Sequence, residues 1–307
     1  MEKIISAKYL KKYYSGVKAV DGVSFEVNRG GMFAFLGVNG AGKSTTMEIL
    51  CTLLKKDAGE VQICGYDLDK NRDEIKKRIG VVFQNSALDR KLSVEENLVT
   101  RASFYGLRGT ELKRRIGELS EIFGFDGLLN RTLCELSGGQ RRKIDLARGL
   151  IGEPEILFLD EPATGLDPKT RLALRNVLRN LQTQKGMTVF FTTHYMEEAA
   201  DADAAVIMDN GRIAARGTPN ELKDRFGRNY VKIYGTKEKG FERKLRGYDC
   251  KEANGCLEVK FPKSEDALRF VKDYSNELTD VEIIKGNMDD VFLNVTGKKS
   301  GGNGDGK

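Results

Sequence analysis

The stretch "GVNGAGKST" (37 to 45) sets three glycines ahead of a lysine and two hydroxyl residues. Gly37, Gly40 and Gly42 let backbone amides approach a phosphate, Lys43 supplies a point charge, and Ser44 offers a hydroxyl to Mg²⁺. The apolar run "MFAFL" precedes it and "STTMEILCTLL" follows, so a strand delivers the loop and a helix N-terminus adds its dipole. A glycine-rich turn with no ligand is the alternative, and those flanks argue against it. Further on, "ILFLDEP" (156 to 162) ends an apolar strand on Asp160 and Glu161, at the edge where open α/β sheets bind ligands. Adjacent carboxylates there divide labour: Asp160 holds Mg²⁺ through water and Glu161 polarises an attacking water. By themselves two acids at a strand end read as a solvated edge or a helix cap; downstream of a phosphate loop they read as hydrolytic machinery.

A second glycine-rich turn, "LSGGQ" (136 to 140), opens the helical run "RRKIDLARGL" and presents free amides and a positive dipole end to an anion. Alone, "SGG" reads as a Ser N-cap followed by flexible glycines. Between "GVNGAGKST" and "ILFLDEP" it reads as a second anion grip.

These residues need a scaffold, and the patterning supplies one. Short β-like runs open the chain: "IISAKYL", "GVSFEV", "GMFAFLG" and, after a helix, "GEVQICGYD". A helical tract follows in "VEENLVTRASFYGL" (94 to 107), with Leu98, Phe104 and Leu107 apolar, and in "TELKRRIGELSEIFGF" (110 to 125), with Leu112, Ile116, Leu119, Ile122 and Phe123. "ILFLD" and "MTVFFTT" are continuous apolar runs joined by a helix carrying Leu174, Val177, Leu178 and Leu181 on one face, which predicts a mainly parallel sheet with helical crossovers. "VIMDNGRIAARGT" predicts a hairpin turning at Asn210-Gly211. Residues 227–297 predict a small α+β accessory domain, and 298–307 a disordered tail without apolar residues.

The formal charge of +6, from 51 basic and 45 acidic residues, does not indicate a nucleic-acid surface. No run approaches the roughly 18 to 20 apolar residues of a spanning helix, and "MEKIISAKYLKK" lacks a signal-peptide core, so the expectation is a cytoplasmic chain. Cys51, Cys64, Cys134, Cys250 and Cys256 are scattered without a CxxC, which predicts free thiols in a reducing compartment.

From about residue 4 to about 226 the chain resembles the ATP-binding cassette family, with the motifs in that family's order. The resemblance implies an α/β fold: a P-loop NTPase core with a mainly parallel sheet, an N-terminal antiparallel β subdomain and a helical signature subdomain at about 86–150, all within an ATP-binding domain of 1–226. It assigns Gly37, Asn39, Gly40, Gly42, Lys43, Ser44 and Thr45 to the nucleotide, and Ser137, Gly138, Gly139 and Gln140 to the nucleotide of a second copy in a head-to-tail dimer. Tyr14 matches the aromatic that stacks on adenine, with Tyr13 as its rival. Gln84 matches the glutamine that contacts Mg²⁺ or water and senses the membrane subunit; Asp167 matches the interface aspartate, or else is a turn former before Pro168. His194 matches the switch histidine on the γ-phosphate. Catalysis then falls to Glu161, His194, Lys43 and Gln84, and Mg²⁺ to Ser44, Gln84 and Asp160. Val38 replaces a common proline and Ala163 a common hydroxyl residue.

The implied function is the ATP-hydrolysing subunit of an exporter, with ATP and Mg²⁺ as cofactors, a separate polytopic membrane subunit and a second copy as partners, and a peripheral place on the inner membrane face. "SVEENL", "YGLRG" and the closing "MDDVFLNVTG" (288 to 297) resemble the drug-resistance branch, where the signature more often ends in Met. The alternatives are a soluble ATPase of the same family acting on ribosomes or DNA, whose tandem cassettes, coiled coils or zinc modules are not seen here, and an importer subunit.

Overall fold

Strands buried on both faces demand cover from helices or a second sheet, and the chain provides both. A computed structural model describes residues 2–237, 240–253 and 255–297. They fall into two compact units: residues up to His194 with Ala202–Ile213, and Tyr195–Asp201 with the residues from Ala214 onward.

The first unit opens with Lys3–Tyr14 (β1), Val17–Asn28 (β2), Met32–Leu36 (β3), the helix Lys43–Leu50 (α1), Ala58–Ile63 (β4) and Tyr66–Asp67 (β5). Arg72–Arg78 (α2) and Ile79–Val82 (β6) follow, then the helices Val94–Ser103 (α3), Gly109–Phe123 (α4) and Gly138–Leu150 (α5). Ile156–Asp160 (β7), Pro168–Lys185 (α6), Thr188–Thr193 (β8), Ala204–Asp209 (β9) and the start of Arg212–Gly217 (β10) complete the series. An antiparallel sheet has the order β2-β1-β4-β5, and a six-stranded sheet the order β10-β9-β3-β8-β7-β6. In the latter β3 runs parallel to β8 and β9, and β7 parallel to β6 and β8. Every residue of β3, β7 and β8 is buried. Phe25 of β2 packs between the two sheets, 5.6 Å from Phe33 and 5.3 Å from Phe35, and Phe190 links these rings to Phe158 at 5.3 Å.

The expected hairpin turn is present, with Asn210 at φ +48° and Gly211 at φ +75°. The helical tract departs from expectation. α3 stops at Ser103, the turn that follows places Gly106 at φ +75°, and Phe104 is 77% exposed instead of lying on the apolar face with the fully buried Leu98. A left-handed glycine cannot continue the helix.

The second unit has Pro219–Phe226 (α7), Asn229–Thr236 (β11), Cys250–Ala253 (β12), Cys256–Phe261 (β13), Ser264–Asp273 (α8), Leu278–Ile284 (β14) and Met288–Thr296 (α9). Its antiparallel sheet, β12-β13-β11-β14, buries Val231, Ile233, Val259 and Phe261 beneath Ala267 and Phe270 of α8. α9 packs beside α7, and Asn294 donates to the Phe226 carbonyl at 2.8 Å. The tail expected at 298–307 lies outside the described residues. All five cysteines are free thiols. Among the described residues no helix is long and apolar enough to cross a membrane.

Candidate active site

Four parallel strands end side by side, and each hands over part of the predicted site: β3 leads to Gly37, β6 to Gln84, β7 to Asp160 and Glu161, and β8 to His194. In the loop after β3, two glycines are required for different reasons. Gly40 takes φ +80° with nothing within 4 Å of where a Cβ would stand, so its need is conformational. Gly42 takes φ +103°, and a Cβ there would stand 2.2 Å from the Ala19 carbonyl oxygen, so the loop lies directly on β2. Gly42 also caps α1 without any side chain on the free amides of the first turn.

Lys43 is buried, and its ammonium donates to the carbonyls of Gly37 at 2.8 Å and Val38 at 3.1 Å while standing 3.7 Å from Glu161 Oε1. Burial pushes its pKa down, with the charges of Glu161 and Asp160 acting in opposition. Asp160 Oδ1 accepts from the Thr192 hydroxyl and from the exposed Ser44 hydroxyl at 3.4 Å. A serine hydroxyl and a carboxylate are hard oxygen donors, suited to a Mg²⁺ ion that draws its other ligands from phosphate and water. No group of three or more His, Cys, Asp or Glu able to hold a metal by itself occurs among the described residues.

Glu161 is the point of convergence. Its Oε2 receives the Thr164 hydroxyl at 3.1 Å and the Gln84 amide at 3.4 Å, and stands 3.1 Å from His194 Nδ1. Lys43, Gln84, Asp160, Glu161 and His194 are thus one cluster assembled from four separate stretches of the chain. Thr192 and Thr164 were not among the sequence candidates. Thr192 bonds Asp160 and also accepts from the Glu161 amide at 3.1 Å. The only trace of its role in the sequence is that "TVFFTT" turns polar where the strand meets the site.

Other predicted residues lie apart from this cluster. The Ser137 hydroxyl accepts from the Gln140 amide at 3.2 Å and Gln140 Oε1 accepts from the Ser137 amide at 2.9 Å, a reciprocal cap for α5. Among the described residues none of the hydrogen bonds of Ser137 or Gln140 reaches Gly37–Thr45. Gly138 faces open space, whereas a Cβ on Gly139 would meet Thr170 at 3.1 Å. Asp167 caps α6, accepting from the Thr170 amide at 3.0 Å and hydroxyl at 2.6 Å, and these bonds hold its carboxyl below the usual range. Tyr14 ends β1 half exposed, with the Lys12 ammonium 5.4 Å from its ring centre, while the Tyr13 hydroxyl is committed to Asp21 at 2.7 Å. Asn39 is exposed and Thr45 half-buried in the loop and its helix.

Residues 20–164 match the family model described as ABC transporter. The daunorubicin/doxorubicin resistance ATP-binding protein DrrA of Streptomyces peucetius is 39% identical over 232 residues, 75% of this chain and 70% of that protein. The Nod factor export ATP-binding protein I of Ralstonia nicotianae is 36% identical over 307 residues, 96% and 94% of the two chains. Among solved structures, cbiO1 from Clostridium perfringens, part of the ABC transporter complex cbiONQ, superposes with a TM-score of 0.68 at 29% identity over 72% of this chain and 91% of that one. A dimeric ATP-binding cassette in a post-hydrolysis state with ADP and Pi superposes with a TM-score of 0.64 at 28% identity, over 70% of this chain and 98% of that one.

Proposed function

The chain belongs to the ABC transporter family as an ATP-binding, ATP-hydrolysing subunit, and from that premise we propose that it works as a head-to-tail dimer powering export through a separate polytopic membrane subunit. The observation that carries this reading is the split between the two glycine-rich turns. The loop at Gly37–Thr45 shares one cluster with Asp160, Glu161, Gln84 and His194, whereas among the described residues the turn at Ser137–Gly139 is bonded only within its own neighbourhood. A second copy, turned about a two-fold axis, gives each nucleotide both grips. The relatives that carry resistance and export in their names support the exporter direction.

In this proposal the amides of Gly40, Gly42 and the first turn of α1 cradle the phosphates, and Lys43 gives up its loop carbonyls for the triphosphate. Ser44, Asp160 and Gln84 hold Mg²⁺, which when bound neutralises developing charge on the phosphates. Glu161 orients and deprotonates the attacking water, His194 donates to the γ-phosphate, and Tyr14 stacks on the base. Asn39 and Thr45 add contacts within the loop, while Ser137 to Gln140 and Asp167 line the interface. The chain sits against the cytoplasmic membrane face, with a cassette of 1–226 and an accessory domain of 227–297.

The test is affinity purification of the Glu161→Gln variant with ATP from gently solubilised native membranes, with ATP turnover of the unmodified chain measured alongside. Co-elution of a polytopic membrane protein is expected. Ribosomes or DNA in its place would reject the transporter reading, and a solute-binding protein in the complex would reject export.

A further inference from the structure

Arg142 lies one turn beyond Gly138 on α5, with its side chain 11% exposed. Its guanidinium reaches four backbone carbonyls on two other segments. Nη1 donates to Phe83 at 2.7 Å, Nε to Pro162 at 2.9 Å, and Nη2 to Asp160 and Glu161, each at 3.4 Å. Phe83 is the residue before Gln84, and the other three carbonyls belong to the strand end and turn that carry the two acidic residues of the site. Asp145, fully buried on the same helix, stands 3.9 Å from Arg142 Nη1 and accepts from Arg148 Nε at 2.7 Å. Arg148 in turn donates to the Val81 carbonyl at 3.0 Å, so the helix is fastened to the end of β6 at two points that bracket the approach to Gln84.

We infer that Arg142 is a positioning residue, which transmits displacement of the turn at Ser137–Gly139 to Gln84 and Glu161. Gly138 and Arg142 stand one hydrogen-bonded turn apart on the same helix, so a displacement of the turn is passed along the backbone to Arg142. The planar fork can serve several carbonyls at once, where a lysine ammonium on its flexible stem serves them as a single point. When the second copy's nucleotide engages the turn, the guanidinium carries that engagement to the water-activating carboxylate and to the amide beside it. The inference rests on the proposed roles of Gln84 and Glu161.

The experiment compares the unmodified protein with Arg142→Ala and Arg142→Lys, measuring ATP turnover, KM and equilibrium nucleotide affinity. Arg142→Ala is expected to lose about 10- to 100-fold in kcat, the scale of a misplaced catalytic group, with nucleotide affinity held within about twofold. Millimolar methylguanidinium is expected to restore part of that loss, and Arg142→Lys to fall between the two. In single turnovers the substitution should cost much less in a Glu161→Gln background, because its effect runs through that carboxylate. Unchanged kcat in Arg142→Ala overturns the inference. So does a joint loss of nucleotide affinity and thermal stability that methylguanidinium leaves unrepaired, which marks a purely structural staple. An unmodified protein that binds ATP without turning it over overturns the underlying reading as well, and that result is read separately.

Discussion

Glu161 holds a left-handed backbone, φ +44°, at the end of a parallel strand. For a residue other than glycine such a conformation costs roughly 1–3 kcal/mol and persists only where neighbours over-determine it. Here the Glu161 amide donates to both the Thr192 carbonyl at 3.2 Å and the Thr192 hydroxyl at 3.1 Å. The strained residue is thereby aimed at Lys43 and His194 while Asp160, its neighbour, is aimed at Ser44. Two predictions belong at this scale. Glu161→Gln keeps the shape and the donors around it but loses the base, so turnover should fall about 10²- to 10⁴-fold with ATP affinity retained; near-normal hydrolysis in a steady-state assay would reject the base assignment. Thr192→Val leaves Asp160 without a buried hydroxyl donor and should cost about 1–3 kcal/mol in urea unfolding, along with turnover. A variant as stable and as active as the parent would show that the Thr192 bridge does not support the acidic pair.

At the scale of elements, the parallel strands and the two glycine-rich turns were legible because each rests on local pattern: continuous apolar runs for β3, β7 and β8, and fixed spacing for the turns. What the pattern did not carry is long-range and polar. Thr192, and Arg142 on α5, act through hydrogen bonds to groups far away in sequence, and no local periodicity encodes such partners. Arg115 is another instance: it donates from α4 to the Leu150 and Ile151 carbonyls at the end of α5, a buried cap that reads in sequence as an ordinary surface charge. Phe104 failed in the opposite way, since its helical spacing held only as far as Ser103. In the second unit the sequence revealed an α+β pattern but not that the Tyr230 hydroxyl on β11 donates to Asp290 on α9 at 2.8 Å. Burial first, and then that bond, raise the Tyr230 pKa. The folded state therefore keeps a proton that the unfolded chain releases near the ordinary tyrosine value of about 10. Stability from this bond is complete below that pH and declines as pH rises through the raised folded value. Thermal melts against Tyr230→Phe should show a constant difference below about pH 10 and a relative loss for the parent above it. A difference independent of pH up to strongly alkaline conditions would remove the bond from the stability of this unit.

For the whole molecule, the decisive property is that each proposed catalytic site needs parts from two copies. Moving such a dimer from mostly open to mostly closed takes about 5.5 kcal/mol of differential binding, within reach of two triphosphates gaining charge-assisted bonds. Complementary defects expose this division. Lys43→Ala removes the phosphate charge from one half-site, and Gly138→Asp places a carboxylate against the incoming phosphates, where the chain itself leaves open space. Each variant alone should form dimers with two dead sites. A mixed dimer joins the intact loop of the Gly138→Asp copy to the intact turn of the Lys43→Ala copy, and so regains one complete site while the other carries both defects. An equal mixture, after exchange of subunits, should recover at most about a quarter of parental turnover, since half of the dimers are mixed and each has one working site of two. Recovery near that level would establish the exchange of glycine-rich turns between copies. Turnover no greater than the sum of the two variants, with subunit exchange verified independently, would mean that one composite site cannot act without the other or that the turn at Ser137–Gly139 serves its own chain; high activity of Gly138→Asp alone would exclude both and mean that the turn grips no nucleotide.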